Sequence, residues 1–129
     1  MAPLWKVRRE LTRLGQQLRA WVEPLYEPAR QRRHDRAFDA GFPQFEGARE
    51  GGARVAIVLI YQPKAIAASL LVMLDHLVSQ GYAPLVISNS PLTETARAAL
   101  APRVWRMVER PNVGYDFGGY RDGIRLLWR

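Results

Sequence analysis

Between Arg110 and Gly123 the chain reads RPNVGYDFGGYRDG, where Asn112, Asp116, Arg121 and Asp122 are mixed with Gly114, Gly118 and Gly119. Glycines let a backbone turn tightly and come close to a ligand. Acidic and amide side chains at such a place could hold ribose hydroxyls or a nucleobase. Free amides at the start of the helix that follows could face a phosphate. The same residue types also build ordinary strand-to-helix turns, and Asp116 could simply cap a helix. Composition alone puts that structural reading ahead.

Other chemistries are thinly represented. The glycine spacing is not that of a dinucleotide fingerprint, and no phosphate-binding GxxxxGK[ST] loop is present. Ser88 and Ser90 lack the GxSxG elbow of a hydrolase nucleophile. The chain has no Cys, which removes disulfides, thiolate metal sites and cysteine nucleophiles together. His34 and His76, far apart in sequence, are its two histidines, which leaves a zinc site few candidate ligands. His76 on a helix reads as a surface or half-buried residue rather than a catalyst, and Tyr61 as a strand-end residue able either to pack or to stack on a base.

The elements that must position these residues begin after a Gly- and Pro-bearing stretch. Residues 37–53 contain Gly41, Pro43, Gly47, Gly51 and Gly52 and read as a linker. Arg54 to Tyr61 (RVAIVLIY) is apolar and β-branched after its first residue, as a strand covered on both faces should be. Ile66, Leu70, Met73, Leu74, Leu77 and Val78 follow at helical spacing, with Gly81 as the stop. Ala83 to Asn89 forms a second strand, and Ser90-Pro91 reads as a cap opening a helix through Leu100. Val104 to Glu109 is a third strand, and the glycine-bearing loop leads into a last helix. This is β-α-β-α-β-α, the pattern of a three-layer, Rossmann-like parallel α/β domain over residues 54–129. Ligands of such sheets bind beyond the carboxyl ends of the strands, where Tyr61, Asn89, Ser90 and the Arg110–Asp122 loop fall.

Right-handed crossovers that keep winding one way order these strands 3-2-1 and leave 54–61 at an edge. An apolar edge strand is an aggregation hazard that proteins normally cover. Either the order is 2-1-3, or a neighbouring strand is missing; we favour the second, which makes the domain incomplete.

RPNVGYDFGGYRDGI, with VAIVLIY and LVISNSPL upstream, resembles the rhamnan synthesis protein F family over roughly residues 54–129. The NVGYDFGGY segment is its specific part. The resemblance implies a GT-A-type, donor-binding half of a glycosyltransferase in cell-surface polysaccharide synthesis. The donor would be a nucleotide sugar and the acceptor a glycan or a lipid-linked glycan. Matched by position are Asn89, Ser90, Asn112, Gly114, Asp116, Phe117, Gly118 and Gly119. With Tyr61 and Arg121 from the strand-end loops, they make the expected donor site. A GT-A enzyme continues into a strand with an acidic metal motif and an acceptor half bearing the base. This chain contains neither, so Mg or Mn belongs to a longer enzyme and catalytic residues are not assigned. A non-catalytic nucleotide-binding or partner module is the alternative.

The formal net charge of +7 is concentrated at the start: residues 1–36 hold nine Lys+Arg against four acids. There Leu4, Val7, Leu11, Leu14, Leu18 and Trp21 or Val22 recur at spacings of three and four, the mark of an amphipathic helix. Pro24 and Pro28 should end it. Such a helix over 4–22 could lie on an anionic membrane with Trp5 and Trp21 at the interface, or pack its stripe on protein, the commoner fate. No nucleic-acid-binding motif appears, so nucleic acid is not an expected partner. The longest apolar run, Val55 to Tyr61, is far below the ~20 residues of a spanning helix, and no signal peptide is visible. A cytoplasmic protein, peripheral at most to the inner face of the membrane, is expected.

Overall fold

The computed structural model describes residues 3–129, with the side chain of Tyr115 left out. The first two residues of the expected basic arm and the Tyr115 side chain of the glycine-bearing loop lie outside the described part. Residues Met1–Arg36 and Ala37–Arg129 form two compact units.

A single helix, α1 (Leu4–Ala40), contains all of the described first unit but Pro3 and extends four residues into the second. The expected stop at Pro24 is therefore wrong, because both Pro24 and Pro28 lie inside the helix. Each proline removes one helical hydrogen bond. Here Ala20, Pro24 and Pro28 are all exposed, so the carbonyls left over by the prolines are in reach of water. Ala, Leu, Glu and Arg around them favour helix and carry it through.

The second unit is a four-stranded mixed sheet of β1 (Gln44–Glu46), β2 (Val55–Ile60), β3 (Ala83–Ser88) and β4 (Arg106–Glu109), in the order β1-β4-β3-β2. β2, β3 and β4 are parallel, with Val58 opposite Val86 and Val86 opposite Met107. The winding is the 3-2-1 order, and β2 does lie at an edge. The stretch read as a linker is not one throughout: β1 lies within it and pairs antiparallel with β4, so the sheet is mixed rather than parallel. Three residues flanked by Gly and Pro carry too little periodicity to be read as a strand. Tertiary pairing supplies what propensity lacks: Phe45 sits opposite Met107, and the Arg106 Nε donates to Glu46 Oε1 at 2.8 Å.

Helices α2 (Ala68–Ser79), α3 (Glu94–Leu100) and α4 (Tyr115–Leu127) connect and cover the strands. Alternation along the strands sorts two cores. Val58, Ile60, Val86 and Met107 face Leu70 and Leu74 of α2 and Ala96 and Leu100 of α3. Leu85, Ile87 and Val108 face the other way, toward Leu126 of α4. β3 is buried at every residue, which makes it the centre of the sheet.

The helix ends follow local chemistry. Beyond α2, Gly81 takes φ 80°, and its N–H and that of Tyr82 bond the carbonyls of Val78 and Leu77 at 3.0 Å each. This is a Schellman stop that needs a glycine. The cap of α3 is Thr93, whose hydroxyl accepts from the Ala96 N–H at 3.1 Å. The expected opening at Ser90-Pro91 is thus three residues early, because Ser90 is turned inward toward Ser88 instead.

β1 can reach β4 only because residue 47 lacks a side chain. The Gly47 N–H donates to the Trp105 carbonyl at 2.7 Å, and a Cβ there would stand 1.9 Å from the carbonyl oxygen of Val104. Backbone cannot yield as a side-chain tip can. Gly47→Ala should therefore destabilise the protein by about 1–3 kcal/mol, while Gly52→Ala, where a Cβ meets nothing within 4 Å, should leave it unchanged. Thermal unfolding of the two variants checks this; equal midpoints would show that the 44–47 segment does not hold the edge of β4.

Candidate functional site

The carboxyl ends of β3 and β4 are held together by polar groups that are buried. Ser88, Asn89, Ser90, Arg110 and Asp122 are all inaccessible, an unusual density of polar side chains for so small a core. Each has a local reason to be inside. The Ser88 hydroxyl donates to the Ser90 carbonyl at 2.6 Å, closing the turn that follows β3. The Asn89 N–H bonds the Ile60 carbonyl at 2.9 Å, and the Arg110 N–H bonds that of Ser88 at 2.9 Å.

Arg110 is the centre of this group. Its Nε donates to Asp122 Oδ2 at 2.8 Å, with both side chains removed from solvent. One terminal nitrogen donates to Asn89 Oδ1 and the other to the Val113 carbonyl. One guanidinium thus joins the end of β3, the loop after β4 and the second turn of α4. A planar fork with donors on three sides suits this task in a way that a lysine cannot. Neighbouring Glu109 fixes the entry to α3, since its Oε1 accepts from the Leu92 N–H at 3.0 Å and from Arg97 at 3.3 Å.

Beside this group opens a cleft of about 590 Å³, lined by Ala37, Ala40, Gly41, Phe42 and Pro43 on one side and by Asn89, Pro91, Glu109, Arg110, Pro111 and Asn112 on the other. Its walls are mainly apolar with a few polar groups converging, the composition and size usual for small-molecule sites. The first wall is the end of α1 and the turn after it. Phe38 anchors it: the ring is buried, packs edge-on against Phe42 at 5.6 Å, and lies under Arg125 and Arg129 of the chain's end. Asp39 bonds both arginines from the side.

Of the residues expected to form the site, Asn89 and Asn112 line this cleft. Ser90 is buried in the turn with Ser88. Tyr61 stands exposed beyond β2, where the adjoining Gln62 caps α2 by accepting from the Ala67 N–H at 2.7 Å. Asp116 is exposed in the first turn of α4, where it complements the positive end of the helix. It is not the cap: Gly114, at φ 77°, holds that position without a side-chain bond. Arg121 is half-exposed, 3.7 Å from Asp122.

The two adjacent glycines have internal reasons for lacking side chains. A Cβ on Gly118 would lie 2.4 Å from the Val113 carbonyl and 3.1 Å from Arg110, in the path of the guanidinium's contact. A Cβ on Gly119 would lie 2.3 Å from Leu59, and one on Gly123 2.9 Å from Ile57, so this pair lets α4 settle close on β2.

The sequence reading missed Arg110 as the hub and residues 37–43 as a wall. Only the polarity of Asn89, Arg110 and Asp122 near apolar strands hinted at the first. The second had no signal, because it depends on a helix that passes two prolines. Among the described residues no three His, Cys, Asp or Glu side chains gather as a metal site would require. Asp122 is turned to Arg110 and ion-paired with it at 2.8 Å.

Arg110→Met should cost about 3–5 kcal/mol, because Asp122 stays buried without its main countercharge. The pair of changes Arg110→Met and Asp122→Leu should cost less than the single one, since no stranded charge remains. Urea unfolding of the three proteins decides; a double variant worse than the single would mean that Asp122 is held chiefly by other groups.

The comparisons with known proteins bear on this end of the sheet. The family model described as rhamnan synthesis protein F matches residues 85–128. An uncharacterized protein of Sinorhizobium fredii (strain NBRC 101917 / NGR234), y4gN, is 40% identical over 122 residues, covering 95% of this chain and 32% of its own length. The similarity to that protein therefore reaches into the basic arm, and the chain spans about a third of its relative. No solved structure matches the chain. The part of the chain that matches the rhamnan synthesis protein F model thus runs from β3 to the end of α4 and includes Asn89, Arg110 and Asn112.

Proposed function

We propose that this chain is the donor-binding part of a glycosyltransferase of rhamnan-type polysaccharide synthesis, built as one half of a GT-A-like domain. The observation that carries the reading is the position of the cleft. It opens at the carboxyl ends of two parallel strands, where open α/β sheets take their ligands, and six of its lining residues fall in the segment that matches the family model. About 590 Å³ accommodates a nucleotide or a nucleoside diphosphate sugar.

In this reading Phe42 and the Ala37–Ala40 wall take the flat apolar part of the donor, and Asn112 bonds its hydroxyls. Asp116, Tyr61 and Arg121 stand on the open side of the same sheet end and contact the more polar portion. Gly114, Gly118 and Gly119 act indirectly, by setting the path of the loop and of α4. Ser90 and Asn89 keep the floor rigid. Transfer from such a donor is assisted by stabilising charge on the departing diphosphate. The buried charges described here are already committed to one another, so this chain supplies binding and orientation while that chemistry comes from elsewhere in the enzyme. The acceptor is a glycan, free or lipid-linked.

A direct test is calorimetric titration with nucleoside diphosphate sugars carrying uracil, thymine or guanine, together with the free nucleotides. One of these should bind. Asn112→Ala should weaken it about tenfold or more by removing a polar contact, in a variant that still unfolds cooperatively. Ala40→Trp, placed on an exposed wall residue, should fill the cleft and abolish binding without loss of fold. Donor binding that survives Ala40→Trp would move the site away from the cleft, and no binding of any donor would end the donor-site reading.

A further inference from the structure

We infer that the first unit is a membrane-surface helix whose partner is an anionic lipid bilayer. The stripe of Leu4, Val7, Leu11, Leu14, Leu18 and Trp21, continued by Leu25, is exposed along its whole length, from 46% at Val7 to 89% at Leu4. At the rise of an α-helix, 4–25 is a continuous apolar band of about 30 Å. So large an exposed apolar face marks an interaction surface rather than ordinary surface.

Charge says what kind of surface meets it. Residues 4–22 carry Lys6, Arg8, Arg9, Arg13 and Arg19 against the single acid Glu10. Leucines and a tryptophan on one side with arginines on the others are the composition of helices that lie in the headgroup plane of anionic membranes. Trp21 belongs to the apolar stripe. Trp5 lies off the stripe, beside the cations, 5.4 Å from Arg9 and 5.6 Å from Lys6.

A second copy of the helix is the obvious rival, because spacings of three and four also describe a coiled-coil seam. The residues flanking the seam argue against it. Arg8, Glu10, Gly15, Gln17, Val22 and Pro24 occupy the positions where coiled coils place matched charges, and they offer no complementary set. Pairing two copies would also bring two clusters of five cations to about 10 Å, near the screening length of physiological salt. Anionic lipid neutralises those cations instead. No described helix is long and apolar enough to cross a membrane, so the contact is with the surface.

The test is co-sedimentation of the full chain with vesicles of phosphatidylcholine alone and with vesicles also containing phosphatidylglycerol. Binding should be about tenfold or more stronger to the second kind and fall with salt. Leu11→Glu with Leu18→Glu should abolish it. Arg8→Gln, Arg13→Gln and Arg19→Gln together should erase the preference for anionic vesicles while leaving the helical circular dichroism intact. Failure to sediment with either vesicle overturns the inference, as does binding that survives the two glutamates. A dimer in analytical ultracentrifugation that the glutamates split, in a protein that ignores vesicles, overturns it in favour of the second copy.

Discussion

The buried guanidinium of Arg110 is the constraint around which the second unit is arranged. A cation inside a small domain is costly unless every donor meets an acceptor. Here the acceptors come from three places: Asp122 in α4, Asn89 after β3 and the carbonyl of Val113. Because each acceptor must be at hydrogen-bond distance from one rigid plane, the three segments are fixed relative to each other. Gly118 exists in this frame as clearance, since a methyl group at that position would press on both Arg110 and the Val113 carbonyl. Residues that looked like parts of a ligand loop are thereby also parts of a clamp.

That clamp explains why a cleft at this end can stay open. Loops that bind ligands are positioned by rigid elements beneath them. Asn112 sits one residue from Val113 and two from Arg110, so it inherits their fixed placement. On the far side, Phe38 and Asp39 tie the end of α1 to Arg125 and Arg129 by stacking and ion pairing. Exposed ion pairs contribute little alone, but the buried ring between the arginines adds apolar area to the same contact. The cleft thus lies between two anchored walls.

The parallel core was legible because its signals are local and redundant. RVAIVLIY has no polar interruption after its arginine, and the helix that follows repeats its leucines on one face. Gly81 is followed by Tyr82 in the order a Schellman stop requires. What was not legible depended on contacts distant in sequence. Gln44–Glu46 is a strand only because β4 offers an unpaired edge about sixty residues later, with Arg106 opposite Glu46. Asp116 looked like a cap by type, yet Gly114 takes the cap by adopting a left-handed backbone that an aspartate would enter at some cost. Of the expected site residues, the amides line the cleft, while Gly118 and Gly119 leave room for the Val113 carbonyl and for Leu59. That division follows from the direction of side chains, which spacing alone does not encode.

Arginine serves two opposite purposes in this protein, and solvent decides which. Arg110 is isolated from water, and its charge is matched atom by atom, so its energy depends on geometry and hardly on salt. The arginines at 8, 9, 13 and 19 are surrounded by water and by few acids, so their combined field reaches outward and is weakened by salt. A net charge of +7 therefore says little about the cleft, whose buried cation is already neutralised. It is mainly a property of the helix that precedes it. A donor bearing a diphosphate would meet hydrogen-bonding groups and apolar walls in the cleft, whereas an anionic surface would meet the excess charge on the arm. If the cleft takes a donor and the arm a membrane, the two recognitions rest on chemically different groups and on separate parts of the sequence.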